Sequence, residues 1–168
     1  MAIMLLVKLL KLNWFEIPTL QAVVGDLINF GSLSERHLLI ALTTLEELIV
    51  EMGYVTRGKH LHLHRRISVN FRDSHLQLIL TSSLEQVRRY TESVLANQAF
   101  QQIRLDNNHG ANPAAQPSIS TDLMIETLLQ ALSVLEKCLN YDWTAVLCNE
   151  TLDEPGQTNL PLTWRDVV

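Results

Sequence analysis

His60-Leu61-His62-Leu63-His64 is the densest group of side chains in the sequence that could do chemistry. In an extended strand the three imidazoles would share one face, and three neutral nitrogens around a vacant position are what a catalytic zinc centre uses. The neighbours oppose that use. Arg57, Lys59, Arg65 and Arg66 flank the triplet without a nearby carboxylate, so a dication would meet like charge and lack the groups that orient imidazole ligands. The triplet reads as an exposed, partly protonated basic loop, extended by Arg72, and no metal is expected. As a binding feature, Arg57, Lys59, Arg65 and Arg66 suit an acidic protein partner, although a solvated connection needs the same residues.

Other chemistry is harder to build. Cys138 and Cys148 lie ten residues apart, too far for a close-spaced metal pair and outside any nucleophile signature. They read as reduced thiols of an intracellular protein, Cys138 as a small buried hydrophobe and Cys148 in a loop. His37 and His75 fall near the starts of separate helices and read as helix-surface residues. Glu46, Glu47 and Glu51 form a solvated acidic ridge. No Gly-rich phosphate loop occurs. No enzymatic activity and no cofactor are expected.

Composition narrows the partners. The 168 residues are 47% hydrophobic and 18% charged with a formal net charge of -5, which fits a folded chain and supplies no overall positive field for nucleic acid. The apolar stretch from Met1 to Leu12 is interrupted by Lys8 and Lys11 and is followed by no small-residue cleavage pattern, so it reads as a core helix rather than a leader. It falls short of the roughly 20 apolar residues that span a bilayer. Neither nucleic acid nor membrane is expected as a partner.

Helical periodicity runs through the elements that would position these residues. A first helix over about Ala2 to Asn13 buries Ile3, Leu6, Val7 and Leu10, with Trp14-Phe15 packing its end. Pro18 suits the first position of a second helix, which buries Leu20, Val23, Val24, Leu27 and Ile28 and stops at a left-handed Gly31. Ser32 or Ser34 caps a third, carrying Leu38, Leu39, Leu42, Leu45, Leu48 and Ile49 to Gly53. Residues 54–70 read as an extended, basic, His-rich connection. Asp73 or Ser74 caps a fourth helix through Leu76, Ile79, Leu80, Leu84 and Val87, reaching Leu95 or Phe100. Residues 104–119 are too polar for a core and read as a flexible loop. Ser120 or Thr121 caps a fifth helix with Leu123, Ile125, Leu128, Leu129, Leu132, Leu135 and Leu139 on its apolar side. A second loop covers 144–160. Trp164-Arg165-Asp166-Val167-Val168 reads as the opening of a further helix.

Five helices without a strand pattern fit either a closed bundle or antiparallel helix pairs stacked as a solenoid. The apparently unfinished ends favour the solenoid, and the whole of 1–168 then reads as a partial repeat array.

Three segments carry a family resemblance. Leu9-Leu10-Lys11-Leu12-Asn13-Trp14-Phe15 resembles the T-K-L-G-W-F helix end of the exportin-7 family in the importin-β superfamily. His64-Arg65-Arg66-Ile67-Ser68-Val69-Asn70-Phe71-Arg72-Asp73-Ser74 with Leu76 resembles that family's H-R-K-I-A-x-x-F-R-D-S-x-L segment. Cys138-Leu139-Asn140-Tyr141-Asp142-Trp143, Asp153-Glu154 and Pro161-Leu162-Thr163-Trp164-Arg165 resemble its C-L-N-F-D-F, D-E and P-x-x-W-R. The segments occur in family order over nearly the whole chain.

The resemblance implies an all-α, HEAT-like α-solenoid fragment that belongs to a receptor exporting protein cargo through nuclear pores under Ran GTPase control. The implied partners are Ran, through repeats outside this chain, cargo proteins and nucleoporins; the implied locations are nucleus, cytoplasm and nuclear pore. The matched residues Trp14, Phe71, Arg72, Asp73, Ser74, Asn140, Asp142, Trp164 and Arg165 are structural in this reading. Asp73 or Ser74 would cap, Arg72 would pair with a carboxylate of the preceding repeat, and Tyr141, Trp143 and Trp164 would wedge between helices. The His-rich connection and the Asn/Pro loop depart from the family pattern, so cargo preference does not carry over. The competing reading is a stand-alone helical scaffold or adaptor without transport activity. A small metalloenzyme is the third.

Overall fold

The computed structural model describes residues 2–54, 60–106 and 121–141, with side chains described up to residue 96 and again from 122. All regular structure among these residues is helical. Helix α1 spans Ala2–Leu12, a 3-10 turn covers Pro18–Ala22, α2 spans Val23–Gly31 and α3 spans Glu35–Gly53. Helix α4 spans Leu61–Phe71, a π-helical turn covers Arg72–Leu76, α5 spans Gln77–Asp106 and α6 spans Thr121–Leu139.

The punctuation between α1, α2 and α3 follows local rules. Pro18 opens the 3-10 turn, where its missing N–H is not needed. Ser34 is the N-cap of α3: its Oγ accepts the His37 backbone N–H at 3.4 Å and lies 2.7 Å from His37 Nδ1. The short connection makes α2 and α3 an antiparallel pair. Gly31 does not act as a left-handed stop, since the following Ser32 is right-handed at φ -73°. Its role is close approach. A Cβ there would stand 3.2 Å from Leu38 Cδ1 and 3.3 Å from Ala41 Cβ.

The largest departure from the sequence-based expectation is at 54–70. Leu61–Phe71 is a helix, not an extended connection. It also does not end where the next was expected to begin, because Phe71, Arg72 and Gln77 all keep right-handed helical angles through the π-turn. Asp73 and Ser74 therefore cap nothing. The buried side chains explain the geometry. Ile67, Phe71, Leu76, Ile79, Ser83, the half-buried Val87 and Tyr90 face the core at steps of three or four, except for the step of five from Phe71 to Leu76. A turn bonded from i to i+5 absorbs one extra residue and keeps both halves of the rod facing the same core.

The core joins Val7, Leu10 and Trp14 to Val24, to Leu42, Leu45, Leu48, Ile49 and Met52 of α3, and to Ile67, Phe71, Leu76 and Ile79. Helix α6 lies against both α3 and α5. Its inward stripe is Met124, Thr127, Ala131, Val134 and Cys138 rather than the leucines, because a helix pressed against two others needs small residues at the contact. Leu123, Leu128 and Leu135 are half-buried, while Ile125, Leu129, Leu132 and Leu139 face outward. Helix α1 also differs from expectation. Val7, Leu10 and Lys11 point inward, Ile3 is half-buried and Leu6 is exposed.

Candidate functional site

The residues with the most specific contacts gather where α1 meets the α3 end, the π-turn and the end of α6. Trp14 is fully buried at the end of α1. Its indole N–H donates to Asn70 Oδ1 at 2.8 Å, and its ring meets Phe71 and His75 edge-on with centroids at 5.9 and 5.4 Å. His75 is thus inside the joint rather than on a helix surface. Its Nε2 is buried without a hydrogen-bond partner among the described residues, and burial lowers its pKa, which favours the neutral imidazole.

Tyr141 closes the same joint from the end of α6. Its hydroxyl lies 2.9 Å from Ser68 Oγ and donates to the Ser68 carbonyl at 3.0 Å. Its ring stands 6.1 Å from Phe71, and a Cβ at Gly53 would come within 3.0 Å of it. Gly53 therefore leaves room for an aromatic side chain arriving from α6. The tyrosine fills the expected wedge role. Asn140 is exposed beside it.

Lys11 is the polar residue that sequence reasoning misplaced. Treated as an interruption of an apolar run, it is only 1% exposed. Its ammonium donates to the backbone carbonyls of Glu51 and Tyr54 and stands 3.6 Å from Glu51 Oε1. A cation here adds a donor to the Glu51 carbonyl, which otherwise receives only a Tyr54 N–H shared with Val50, and it suits the negative end of α3. Burial lowers the lysine pKa, partly opposed by Glu51. The signal available in sequence was spacing: Lys11 follows Val7 by four and precedes Trp14 by three, which places it on the buried stripe.

Glu46 is likewise no solvated ridge residue. It accepts hydrogen bonds from Gln130 and from Ser133, the latter at 2.6 Å, tying α3 to α6. Glu51 belongs to the lysine site.

The helical course of α4 separates the histidines. His60 and His64 are one turn apart, with the His64 N–H donating to the His60 carbonyl at 3.0 Å, while exposed His62 projects from another side. The shared strand face that the zinc arrangement required does not form. His64 Nδ1 is buried, and its pKa is lowered first by burial and then by the charges of Lys11 and His60, with Glu51 opposing.

Within the basic patch, Arg66 lies over the Phe15 ring at 5.1 Å and Arg65 is half-buried, with its Nε buried. Arg57 and Lys59 lie outside the described residues. Of the motif residues, Arg72 donates through Nε to Asp73 Oδ1 at 2.8 Å. Ser74 is exposed in the π-turn. Asp142, Trp143, Cys148, Asp153, Glu154, Trp164, Arg165 and the loop at 144–160 fall outside the described residues. The expected loop at 104–119 does so from residue 107; 104–106 are the end of α5. Cys138 is fully buried as expected, and burial pushes its thiol up to about 12, which keeps it protonated.

No family model matches the chain, and neither does any solved structure. Similarity to curated sequences is nonetheless continuous. Ran-binding protein 17 of Mus musculus is 28% identical over 170 aligned positions, covering 98% of this chain and 14% of the relative. Ran-binding protein 17 of Homo sapiens is 26% identical with the same coverage. Exportin-7-A of Xenopus laevis is 25% identical over 168 positions, covering 97% of this chain and 13% of the relative. The chain thus spans about a seventh of the length of the curated relatives it matches. The similarity runs through the Trp14 helix end, the π-turn and the Tyr141 joint, and over nearly its whole length this chain resembles a section of the exportin-7 and Ran-binding protein 17 group.

Proposed function

We propose that the chain is a section of a nuclear transport receptor that carries protein cargo out through nuclear pores under control of the GTPase Ran. The observation that carries this reading is the near-complete coverage of the chain by relatives named for export and for Ran binding. The chemistry agrees with it. The buried polar contacts of Lys11, Glu46, Asn70 and Tyr141 join one helix to another, and such joints build a scaffold.

In this reading the helix pairs are part of a HEAT-like solenoid. Leu5, Leu9 and Leu12 form an outward stripe on α1, and Ile125, Leu129, Leu132 and Leu139 form one on α6. Both stripes are joints for neighbouring repeats. Ran contacts repeats outside this chain, nucleoporins and cargo proteins are further partners of the receptor, and the whole receptor moves between nucleus and cytoplasm. Arg57, Lys59, Arg65 and Arg66 offer a basic surface to an acidic protein partner. Trp14, Phe71, Arg72, Asp73, Ser74, Asn140, Asp142, Trp164 and Arg165 shape the repeat joints rather than contact Ran.

The test immobilises the longest natural protein that carries this section and offers it Ran loaded with GTP or with GDP. Retention of the GTP form at least about tenfold above the GDP form, a difference of about 1.4 kcal/mol, is expected. Equal retention of both forms, or of neither, would replace transport with the stand-alone scaffold reading.

A further inference from the structure

Two histidines flank the contact that the end of α1 makes with the α4 rod. His64, Ile67, Ser68, Phe71 and His75 follow one another along one face of that rod at the spacing of a helix. His75 meets the Trp14 ring at 5.4 Å, and His64 feels the charge of Lys11. Both partners on α1 are buried.

Neither histidine is equipped to hold an added proton in place. His64 Nδ1 and His75 Nε2 are closed to water and have no hydrogen-bond partner among the described residues. A neutral ring can turn its bare nitrogen to such a spot, whereas an imidazolium has an N–H on both nitrogens and would bury one of them unpaired. At His64 the new charge would also face the ammonium of Lys11 from α1 and the His60 ring from its own helix. Glu51 of α3 is the opposing carboxylate, and it already stands 3.6 Å from Lys11. Around His75 the Trp14 ring comes from α1 and the Phe71 ring from the rod, while Asp73 in the same turn is exposed and engaged with Arg72.

We propose that the contact between the end of α1 and the α4 rod is an acid-sensitive latch: protons taken up by His64 and His75 detach Lys11 and Trp14 and free α1 while the other helices stay packed. Burial lowers the pKa of both histidines in the closed joint, and opening returns them toward the ordinary 6.5. Below 6.5 the open form therefore binds more protons, so the closed form is fully stable above that pH and loses ground as pH falls. A histidine that ionises only in the open form multiplies the opening constant by up to about tenfold between pH 7.5 and 5.5, and two together by up to about a hundredfold. The latch is independent of the transport reading, because it rests on contacts within the chain. What it frees is the helix that carries the outward stripe of Leu5, Leu9 and Leu12.

Hydrogen exchange of the 168-residue chain, read by mass spectrometry over α1 and over α3 and corrected for the intrinsic pH dependence of amide exchange, measures the opening of each helix separately. Protection of α1 is expected to fall by about tenfold to a hundredfold from pH 7.5 to 5.5, with α3 changing by less than about threefold. His64→Gln is expected to remove about tenfold of that response, His64→Gln combined with His75→Gln all of it, and His62→Gln, at an exposed position, none. Each protein is compared with itself at the two pH values, so a variant that is weaker at both still reports. The proposal is overturned by α1 protection that does not depend on pH in the unsubstituted chain, by equal loss over α1 and α3, by a response that survives the double substitution, or by one that disappears with His62→Gln.

Discussion

Trp14→Ala is expected to lower stability by about 3–5 kcal/mol, the range for deleting a large buried aromatic side chain. Trp14 is fully buried, and removing it opens a void between Phe71 and His75 at the point where α1 touches the π-turn. The substitution also removes the donor that serves Asn70 Oδ1. Domains have only about 5–15 kcal/mol in reserve, and a chain with uncovered leucine stripes has less, so the variant should lose most of its helical signal. Trp14→Phe retains much of the buried area but no N–H, and a smaller loss of roughly 1–3 kcal/mol is expected from the unsatisfied acceptor. Urea unfolding followed by far-ultraviolet circular dichroism measures both. A loss below about 1 kcal/mol for Trp14→Ala would mean that the joint closes without its ring.

Lys11 gives the second large effect, and its size depends on the replacement. Lys11→Glu puts a carboxylate beside Glu51 and against the carbonyls of Glu51 and Tyr54, and removes the ammonium that donates to them. A loss on the order of 3–5 kcal/mol is expected, as for an uncompensated buried charge. Lys11→Met keeps the length and apolar body of the side chain but leaves the Tyr54 carbonyl and Glu51 without their donor, so a smaller loss of roughly 1–3 kcal/mol is expected at neutral pH. The pH dependence follows from the lowered lysine pKa. The folded chain gives up its proton at lower pH than the unfolded chain, for which the ordinary value is 10.5. Between those two values the unfolded state binds more protons, and the lysine's contribution makes stability rise with pH. Relative to Lys11→Met, the unsubstituted chain should therefore gain stability as pH approaches 10.5, and parallel pH profiles for the two proteins would contradict the buried site.

Helix spacing and local caps made much of the architecture readable. Ser34, the Leu42 to Ile49 stripe and the start of α6 at Thr121 all follow from side chains near in sequence. The continuous α4–α5 rod was not readable, because the step of five from Phe71 to Leu76 breaks the usual period and mimics a boundary. Asp73 and Ser74 strengthened that impression, being good caps placed where no helix starts. On α6 the leucines drew attention away from Thr127, Ala131 and Cys138, since size predicts burial only when the contact has room for it. Lys11 and Glu46 depend on partners 40 and 84 residues away, a distance over which local pattern carries no information.

The central claim is that the outward leucine stripes of α1 and α6 are joints between repeats rather than the surface of a finished domain. Leu5 and Leu12 are each 61% exposed and Leu129 is 60% exposed, more than scattered surface leucines would explain given their common faces. Sedimentation of the 168-residue chain over a range of concentrations, combined with a thermal melt of the same samples, tests this directly. The expected result is marginal stability with concentration-dependent association that Leu5→Glu and Leu129→Glu weaken without loss of helix content. A strictly monomeric chain that unfolds cooperatively at high temperature would contradict it.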